Sequence, residues 1–374
     1  MSARVLIMAG GTGGHVFPAL AVADALRARG LEVVWLGTRL GLEARVVPAA
    51  GIKVEWINIG GLRGKTLATR LTAPFNVGMA VLQALRILLR VRPAVVLGMG
   101  GYAAGPGGIA AWLTRRPLVI HEQNAIAGST NRILAHVASR VLAAFPGAFP
   151  YGVQSEVVGN PVRAAITSLP VPDVRFAGRS GPARLLVLGG SQGALALNEA
   201  VPEALARLPE PLRPQVRHQA GRNTLEIARA SYARVGVEAD VSEFIEDMAE
   251  AYGWADLAIC RSGALTVSEL AAAGLPAVLV PFPAAVDDHQ TLNGGYLVAA
   301  GGAVLVPERQ LKSQRLAQVL AGLLGDRARL LDMARRARDA ARPEALAAIE
   351  RILLEVAKPG SDTDSAGGGP GARP

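Results

Sequence analysis

Residues 4–15 read RVLIMAGGTGGH, and a proline follows at position 18. The apolar run Val5–Met8 predicts a buried strand. The four glycines after it permit a tight turn and a close approach of a phosphate or sugar to backbone N–H groups, and Pro18 is tolerated in the first turn of a helix. The stretch therefore predicts a strand, a glycine turn and a helix, which is the opening unit of a parallel α/β sheet.

The same alternation recurs along the whole chain. In the first half, further strands are predicted at 33–36, 95–97, 118–120, 141 and 157–158, and helices at 18–29 and 77–91. In the second half, strands are predicted at 185–188, 216–219, 257–260, 277–280 and 303–306, and helices at 265–273 and 292–300. The sequence thus predicts an α/β protein with two Rossmann-like, doubly wound domains that face a cleft.

A stretch rich in proline, glycine and serine, residues 168–182, separates the two halves and predicts a linker. We expect a first domain at 1–165, a linker at 166–182 and a second domain at 183–340. We further expect a C-terminal helix at 341–357 that packs back toward the first domain. Residues 358–374 have no apolar periodicity, which predicts a disordered tail.

Composition excludes several classes of protein. Of 374 residues, 51% are hydrophobic and 18% charged, which excludes a disordered chain. One cysteine and five scattered histidines give neither an internal disulfide nor the spacing of a metal site, so we expect no metal and no cofactor. The first apolar run ends too early for a signal peptide, and no later run reaches about 18 uninterrupted apolar residues. These features predict a cytosolic protein without a membrane span.

The excess of positive over negative charge is confined to the first half. Residues 1–163 hold 17 Lys and Arg against 6 Asp and Glu, whereas residues 164–374 hold 22 against 24. No acidic residue lies between Glu55 and Glu122. Such a basic block suits a polyanion or an anionic membrane face, and the alternative is an ordinary solvated helix surface.

The glycine turns do not match a dinucleotide site. A G-x-G-x-x-G motif counted from Gly11 reaches Val16 instead of glycine, and residues 36–39 lack the acidic ribose ligand, which argues against a dehydrogenase. A second glycine turn begins at Gly98 and a third spans 189–194. In the third turn Ser191 can offer a hydroxyl to an anion, although a purely structural turn is equally compatible.

Residues 260–269 form the most specific pattern, CRSGALTVSE. A strand, a Ser-Gly turn and a helix start would direct the N–H groups of Ala264, Leu265 and Thr266 toward a diphosphate. Glu269, one turn further on, can accept two hydrogen bonds from a ribose diol. A capping or buried structural role is the alternative for this glutamate.

Together these stretches resemble the MurG family of bacterial peptidoglycan synthesis. The resemblance extends over residues 4–355, in the family's order, and the motifs that carry it are MAGGTGGHVFPALAVA from Met8, GLRGK from Gly61, LGMGGYAAGPGG from Leu97, HEQNAIAG from His121, AFPGAFP from Ala144, GNPVR from Gly159, GGSQGA from Gly189 and CRSGALTVSELAAAGLPAVLVPFP from Cys260. It implies the two-domain GT-B fold and an inverting N-acetylglucosaminyltransferase. The implied reaction moves GlcNAc from UDP-GlcNAc to the MurNAc C4 hydroxyl of the undecaprenyl-linked acceptor lipid I, which gives lipid II with a β-1,4 link.

The resemblance also implies site residues. The donor ligands would be Ser191, Ile245, Arg163, Gln290 and the run Ala264, Leu265, Thr266, Val267, Ser268 and Glu269, with uracil against the Ile245 backbone and ribose against Glu269. Asn124 would lie in the cleft, and Thr12, Gly13 and Gly14 would contact the sugar or the acceptor diphosphate. The family often has paired glutamines where this chain has His289 and Gln290, so the role of His289 stays open.

Inversion needs a base for the acceptor hydroxyl and stabilisation of the departing diphosphate. His15 is the candidate base because an imidazole can take a proton near neutral pH, although it could instead orient a loop or bind a phosphate. The leaving group would meet the N–H groups of residues 264–266 and either Arg261 or Arg163.

Two other functions remain open from the sequence. A sugar-nucleotide epimerase of the same fold would need no basic apolar surface. A nucleotide- or RNA-binding protein would explain the charge, but the chain has few aromatic residues for stacking and no RNP-type motif, so no nucleic-acid partner is expected.

An apolar stripe in the basic block predicts membrane contact. Leu71, Phe75, Met79 and Leu82 would line one face of a helix, flanked by Arg70, Arg86, Arg90 and Arg92, with Trp112, Arg115 and Arg116 on a nearby helix. A buried core face is the alternative, because a helix packed on a sheet needs the same spacing. The stripe predicts a peripheral protein on the inner face of the cytoplasmic membrane, attached to an anionic surface through its first domain.

Overall fold

The computed structural model describes residues 4–60, 73–190 and 192–357. The GLRGK motif, Leu71, Ser191 and the predicted disordered tail lie outside the described residues.

The first half forms a sheet of seven parallel strands in the order β3-β2-β1-β4-β5-β6-β7. Their bounds are β1 Arg4–Met8, β2 Glu32–Gly37, β3 Lys53–Trp56, β4 Val95–Gly98, β5 Leu118–Glu122, β6 Arg140–Ala143 and β7 Glu156–Val157. The register pairs Val5 with Val33 and Val95, so the predicted opening strand is central and buried on both faces.

The second half forms a sheet of six parallel strands in the order β10-β9-β8-β11-β12-β13. Their bounds are β8 Arg184–Leu188, β9 Gln215–Gln219, β10 Asp240–Ser242, β11 Leu257–Cys260, β12 Ala277–Leu279 and β13 Ala303–Leu305. In both sheets the strand order reverses beside the first strand, which is the switch point of a doubly wound fold. The predicted fold class is therefore confirmed.

Helices cover both sheets. In the first half they are α1 Gly13–Ala28, α2 Glu43–Ala49, α3 Ala73–Val91, α4 Ala104–Leu113 and α5 Ser129–Leu134. They continue as α6 Ala164–Thr167, α7 Pro172–Phe176, α8 Leu195–Ala206, α9 Leu225–Val235, α10 Met248–Trp254, α11 Ala264–Ala273, α12 His289–Ala299, α13 Ser313–Leu324, α14 Arg327–Asp339 and α15 Ala345–Ala357.

The segment between the two sheets is ordered against the second domain. It contains α6 and α7, and the buried guanidinium of Arg175 donates hydrogen bonds to the carbonyl oxygens of Ala273 and Gly274, the latter at 2.6 Å. These carbonyls end α11, where a cation complements the helix dipole. Burial lowers the pKa of Arg175 to about 10, which leaves the side chain charged at neutral pH. A Gly- and Pro-rich composition therefore does not make this stretch structureless.

The last helix, α15, lies on the first sheet. Its residues Ile349, Ile352 and Leu353 are buried in one cluster with Val95 and Leu97 of β4. The chain thus returns to its first domain after completing the second, which adds an apolar contact between the two domains.

Helix α3 has two apolar faces. Ala80, Ala84 and Leu88 pack into the sheet core, whereas Phe75 is 71% and Leu82 48% exposed on the other side. The stretch Pro74–Val91 is long and apolar enough to cross a membrane by length and composition, but 28% of it is buried within the fold. The packing favours a surface helix, and the absence of a membrane span stays a prediction.

Candidate active site

The first glycine turn forms the start of α1. The helix begins at Gly13, five residues earlier than the pattern around Pro18 predicts, because Thr12 has extended backbone and its carbonyl accepts the N–H groups of His15 and Val16. Thr12 and Gly14 are exposed and His15 is half-buried. The turn thus presents a helix N-terminus with an imidazole in its first turn, which can hold an anion or a sugar beside a base.

The second glycine turn packs against the first. Gly100 has φ +90°, and a Cβ added there would lie 2.8 Å from Nδ1 of His15. A Cβ added at Gly101 would lie 2.3 Å from the carbonyl oxygen of Gly10. Only glycine allows this approach, so the turn at 98–101 acts as one wall of the His15 pocket.

The HEQN segment follows β5 and is organised around a buried carboxylate. Glu122 accepts hydrogen bonds from the backbone N–H and side-chain amide of Asn124, at 3.0 and 3.1 Å, from the Gly128 N–H at 3.1 Å and from the Asn131 side chain at 2.8 Å. These donors satisfy a charge that would otherwise be costly to bury. The segment is thereby fixed at the edge of the sheet that faces the second domain.

Asn124 joins the two domains. Its Oδ1 accepts a hydrogen bond from the side chain of Asn293 in α12 at 3.3 Å, and Asn293 Oδ1 accepts the N–H of Ala125 at 2.7 Å. A second bridge runs from the Asn160 side chain to Ser268 Oγ at 3.0 Å. The predicted cleft residue Asn124 therefore lies at the domain boundary.

The candidate donor ligands in α11 fall into two groups, backbone amides in the first turn and side chains further along the helix. Ala264, Leu265 and Thr266 form its first turn, whose N–H groups have no partner within the helix. Val267 is fully buried in the core, and Ser268 Oγ donates to the Ala264 carbonyl at 3.0 Å. The side chains of Val267 and Ser268 are thus used in packing and in hydrogen bonding within the helix. The groups suited to a diphosphate are the backbone N–H groups of the first turn.

Glu269 is held by two partners. Tyr252 Oη donates to its Oε2 at 3.0 Å, and Arg163, just before α6, donates to its Oε1 at 3.2 Å. Burial raises the pKa of Glu269 while the Arg163 charge opposes that rise. Burial and the neighbouring carboxylate also raise the pKa of Tyr252, so this hydroxyl remains a donor at neutral pH. Sequence reasoning missed Tyr252, because its hydroxyl meets Glu269 across 17 residues without any motif.

The remaining donor candidates lie around the same edge. Ile245 is half-buried and packs on the core that contains α11. Gln290 Oε1 accepts the N–H of Phe282 at 2.9 Å, which ties α12 to the PFP segment. Arg261 is ion-paired with Glu308 and donates to the carbonyl oxygens of Val280 and Pro281 at 3.2 and 3.3 Å. Within the described ranges, no group of three or more His, Cys, Asp or Glu residues could hold a metal ion.

One helix of the first domain contacts one helix of the second. Residues of α1, which carries His15, lie within 8 Å of residues of α11 between Cα atoms. The helix that carries the candidate base therefore contacts the helix whose N-terminus is suited to a diphosphate. Two doubly wound domains in contact at such a boundary are the architecture of the GT-B fold class.

Comparison with known proteins identifies the family. Residues 5–143 match the glycosyltransferase family 28 N-terminal domain, and residues 184–351 match the family 28 C-terminal domain. The chain is 62% identical to the UDP-N-acetylglucosamine–N-acetylmuramyl-(pentapeptide) pyrophosphoryl-undecaprenol N-acetylglucosamine transferase of Alkalilimnicola ehrlichii, over 96% of this chain and all of the relative. It is 58% identical to the protein of the same name from Nitrosococcus oceani, over 96% of this chain and 99% of the relative.

A solved structure agrees with these relatives. The crystal structure of Acinetobacter baumannii MurG is 42% identical, with a TM-score of 0.84 over 94% of this chain and 99% of that one. The chain belongs to the MurG family of N-acetylglucosaminyltransferases, and the predicted family and enzyme class are confirmed. A sugar-nucleotide epimerase and a non-enzymatic binding protein are accordingly no longer favoured.

Proposed function

We propose that the chain transfers GlcNAc from UDP-GlcNAc to the MurNAc C4 hydroxyl of undecaprenyl-pyrophosphoryl-MurNAc-pentapeptide, with inversion at the anomeric carbon. The observation that carries the proposal is the meeting of α1 and α11 across the domain boundary. Donor and acceptor held on two domains need only a short approach to react, so positioning supplies much of the rate.

UDP-GlcNAc binds the second domain in this proposal. The diphosphate accepts the N–H groups of Ala264, Leu265 and Thr266 at the positive end of α11. Glu269 accepts the ribose hydroxyls, and Tyr252 holds its carboxylate in place. The Ile245 backbone meets uracil and Gln290 contacts the GlcNAc hydroxyls, as the family resemblance implies. Ser191 completes this set from outside the described residues.

His15 is the base that takes the proton of the acceptor hydroxyl. Its position in the first turn of α1 supports this role, because Thr12, Gly13 and Gly14 in the same turn can hold the acceptor diphosphate or the sugar. The charge of the departing UDP falls on the α11 amides and on Arg163, whose side chain is 55% exposed. Arg261 is less suited, because its side chain is 17% exposed and its guanidinium donates to two backbone carbonyl oxygens in addition to pairing with Glu308.

The enzyme works on the inner face of the cytoplasmic membrane in this proposal. Phe75, Met79 and Leu82 are exposed on one face of α3, and Leu89 extends that face at 58% exposure. Helix α4 packs beside α3 and exposes Trp112 and Leu113 next to Arg115. An apolar face rimmed by arginines fits a lipid surface with anionic headgroups, where each cation contributes roughly 1 kcal/mol.

Transfer of labelled GlcNAc from UDP-GlcNAc to a lipid I analogue tests the proposal. We expect the label in a disaccharide lipid, and no loss of UDP-GlcNAc when the acceptor is omitted. Turnover of UDP-GlcNAc without acceptor would instead support an epimerase. Salt-dependent RNA binding without affinity for UDP-sugars would support a nucleic-acid-binding protein.

A further inference from the structure

A chain of three hydrogen bonds leads from His15 into the first domain. His15 Nδ1 lies 2.8 Å from Gln123 Oε1, Gln123 Nε2 lies 3.0 Å from His121 Nδ1, and His121 Nε2 lies 2.9 Å from the carbonyl oxygen of Gly159. Gln123 is 1% exposed and His121 is fully buried. The chain therefore begins at the half-buried His15 and ends inside the protein.

The inner end of the chain fixes the proton position on His121. A carbonyl oxygen can only accept, so His121 Nε2 must carry the hydrogen that meets Gly159. Burial lowers the pKa of His121, which keeps the ring neutral. In a neutral imidazole with Nε2–H, Nδ1 is an acceptor.

Gln123 can then have only one orientation. The atom facing His121 Nδ1 must be the amide NH₂, and the same NH₂ donates to the backbone carbonyl of His121 at 3.1 Å. Two independent acceptors therefore select one of the two amide orientations. The amide oxygen faces His15, where it accepts a hydrogen bond from Nδ1–H.

We propose that Gln123 and His121 are positioning residues that hold His15 in its Nδ1–H tautomer, so that Nε2 carries the free lone pair of the ring. This inference rests on the proposed role of His15 as the base. The acceptor hydroxyl transfers its proton to Nε2 while its oxygen bonds to the anomeric carbon and UDP leaves. The positive charge that forms on the ring is met at Nδ1–H by the Gln123 oxygen.

The same relay is fixed relative to the donor helix. The Asn160 side-chain amide donates to the Gln123 carbonyl oxygen and to Ser268 Oγ of α11, both at 3.0 Å. The backbone that carries Gln123 is thus connected directly to the helix whose start would hold the diphosphate. This connection fixes the backbone of Gln123 relative to the helix that would hold the donor.

Long-range proton–nitrogen NMR spectra of protein labelled with ¹⁵N-histidine test the tautomer directly. The chain has five histidines, and His15→Gln identifies the signals of His15 by their loss. In spectra of the neutral rings, we expect His15 to show the Nδ1–H pattern and His121 the Nε2–H pattern. An Nε2–H pattern for His15 in the wild-type protein would overturn the proposal without any further variant.

Gln123→Leu tests the relay itself. We expect His15 to lose its preference for Nδ1–H, the kcat of transfer to fall roughly tenfold or more, and the Kd for UDP-GlcNAc to stay near the wild-type value. Tyr232→Phe is the matched control, because Tyr232 Oη lies 3.0 Å from Nδ1 of the other buried histidine, His218, in the second domain. It should move the His218 signals and leave those of His15 unchanged.

The outcomes separate this inference from the proposed function. A folded Gln123→Leu protein in which His15 keeps the Nδ1–H pattern and kcat is unchanged would refute the relay. This conclusion holds whether or not His15 is the base. If His15→Ala keeps near-normal turnover, the base assignment fails even where the spectra show the expected tautomers.

Discussion

The two domains each bury one neutral histidine in a strand of the sheet, and the two differ in where their hydrogen bonds lead. His121 in β5 and His218 in β9 are both fully buried, and burial lowers the pKa of both, that of His218 to about 4. Both ring nitrogens of each have a partner. Burial therefore sets the same protonation state in both domains.

The difference lies beyond the first partner. His218 lies 3.0 Å from Asn198 Oδ1 and 3.0 Å from Tyr232 Oη, and Asn198 donates onward to carbonyl oxygens within the second domain. His121 leads through Gln123 to His15, beside the domain boundary. The network of His218 stays within the second domain, whereas that of His121 extends to the half-buried side chain of His15.

The largest effect should come from the outer end of the first network. We expect His15→Ala to lower turnover by roughly 10² to 10⁴, with UDP-GlcNAc binding near normal, because the base is lost and the donor site is on the other domain. The network of His218 stays within the second domain, so His218→Gln should leave the turnover of the folded protein near the wild-type value. Near-normal turnover in His15→Ala would show that neither network contributes to catalysis, which contradicts the proposed difference between them.

Donor affinity should depend on the second domain but not on its buried histidine. Glu269→Ala should weaken UDP-GlcNAc binding by about 1 to 3 kcal/mol, the size of a lost charge-assisted hydrogen bond. Glu203→Ala is a matched control, because Glu203 pairs with Arg234 at 3.1 Å on the outside of the same domain. Calorimetric titration decides, and unchanged affinity in folded Glu269→Ala would exclude this glutamate from the ribose site.

Because both buried histidines are neutral in the folded protein, we expect its free energy of unfolding to fall at acid pH. Burial lowers the pKa of His218 in the folded protein to about 4 from its ordinary value of 6.5, so between these pH values the unfolded chain binds more protons. Stability from this group is complete above pH 6.5 and is lost as the pH falls toward 4, with about 2 kcal/mol lost at pH 5. Urea unfolding at pH 7 and pH 5 measures this loss as a difference in the free energy of unfolding. His218→Gln should show a smaller difference between the two pH values, and an equal difference would contradict this reading.

The smallest effect on chemistry should come from the exposed apolar face of α3, whose residues belong to neither network. We expect vesicle binding to rise with anionic lipid and fall with salt, and to drop several-fold on replacing Phe75 and Met79 by Ser, through lost apolar insertion. Phe244→Ser is a control, because Phe244 is 58% exposed in the second domain. Equal binding of the wild type to neutral and anionic vesicles would refute the membrane surface.

The sequence was sufficient to predict the central strands and the edge strands β7 and β13, but not the other two edge strands. Buried, β-branched runs such as Val33–Leu36 give a clear signal. The edge strands β3 and β10 were missed, because Lys53 and Glu55 interrupt the apolar pattern of the first and the second has three residues, Asp240–Ser242. Polar side chains are tolerated at a sheet edge, where one side faces solvent.

The motifs located the candidate site but not its internal connections. The HEQN and ALTVSE stretches were visible, yet Gln123, His121 and Tyr252 had no predicted role. Their partners are distant in sequence, as in the pair His15 and Gln123, which are 108 residues apart. A hydrogen bond of this kind depends on the strand order of the sheet, which no local pattern contains.

In the proposed reaction, the first domain supplies the base and the second domain binds the donor. The most direct test of this assignment is the rate of GlcNAc transfer to a lipid I analogue, measured against UDP-GlcNAc concentration in His15→Ala and Glu269→Ala. We expect saturating donor to bring Glu269→Ala toward the wild-type rate, because its defect is in donor affinity, and to leave His15→Ala slow at every concentration. Recovery of His15→Ala at high donor, or a Glu269→Ala enzyme that stays slow at saturation with normal affinity, would contradict a base on the first domain and a donor site on the second.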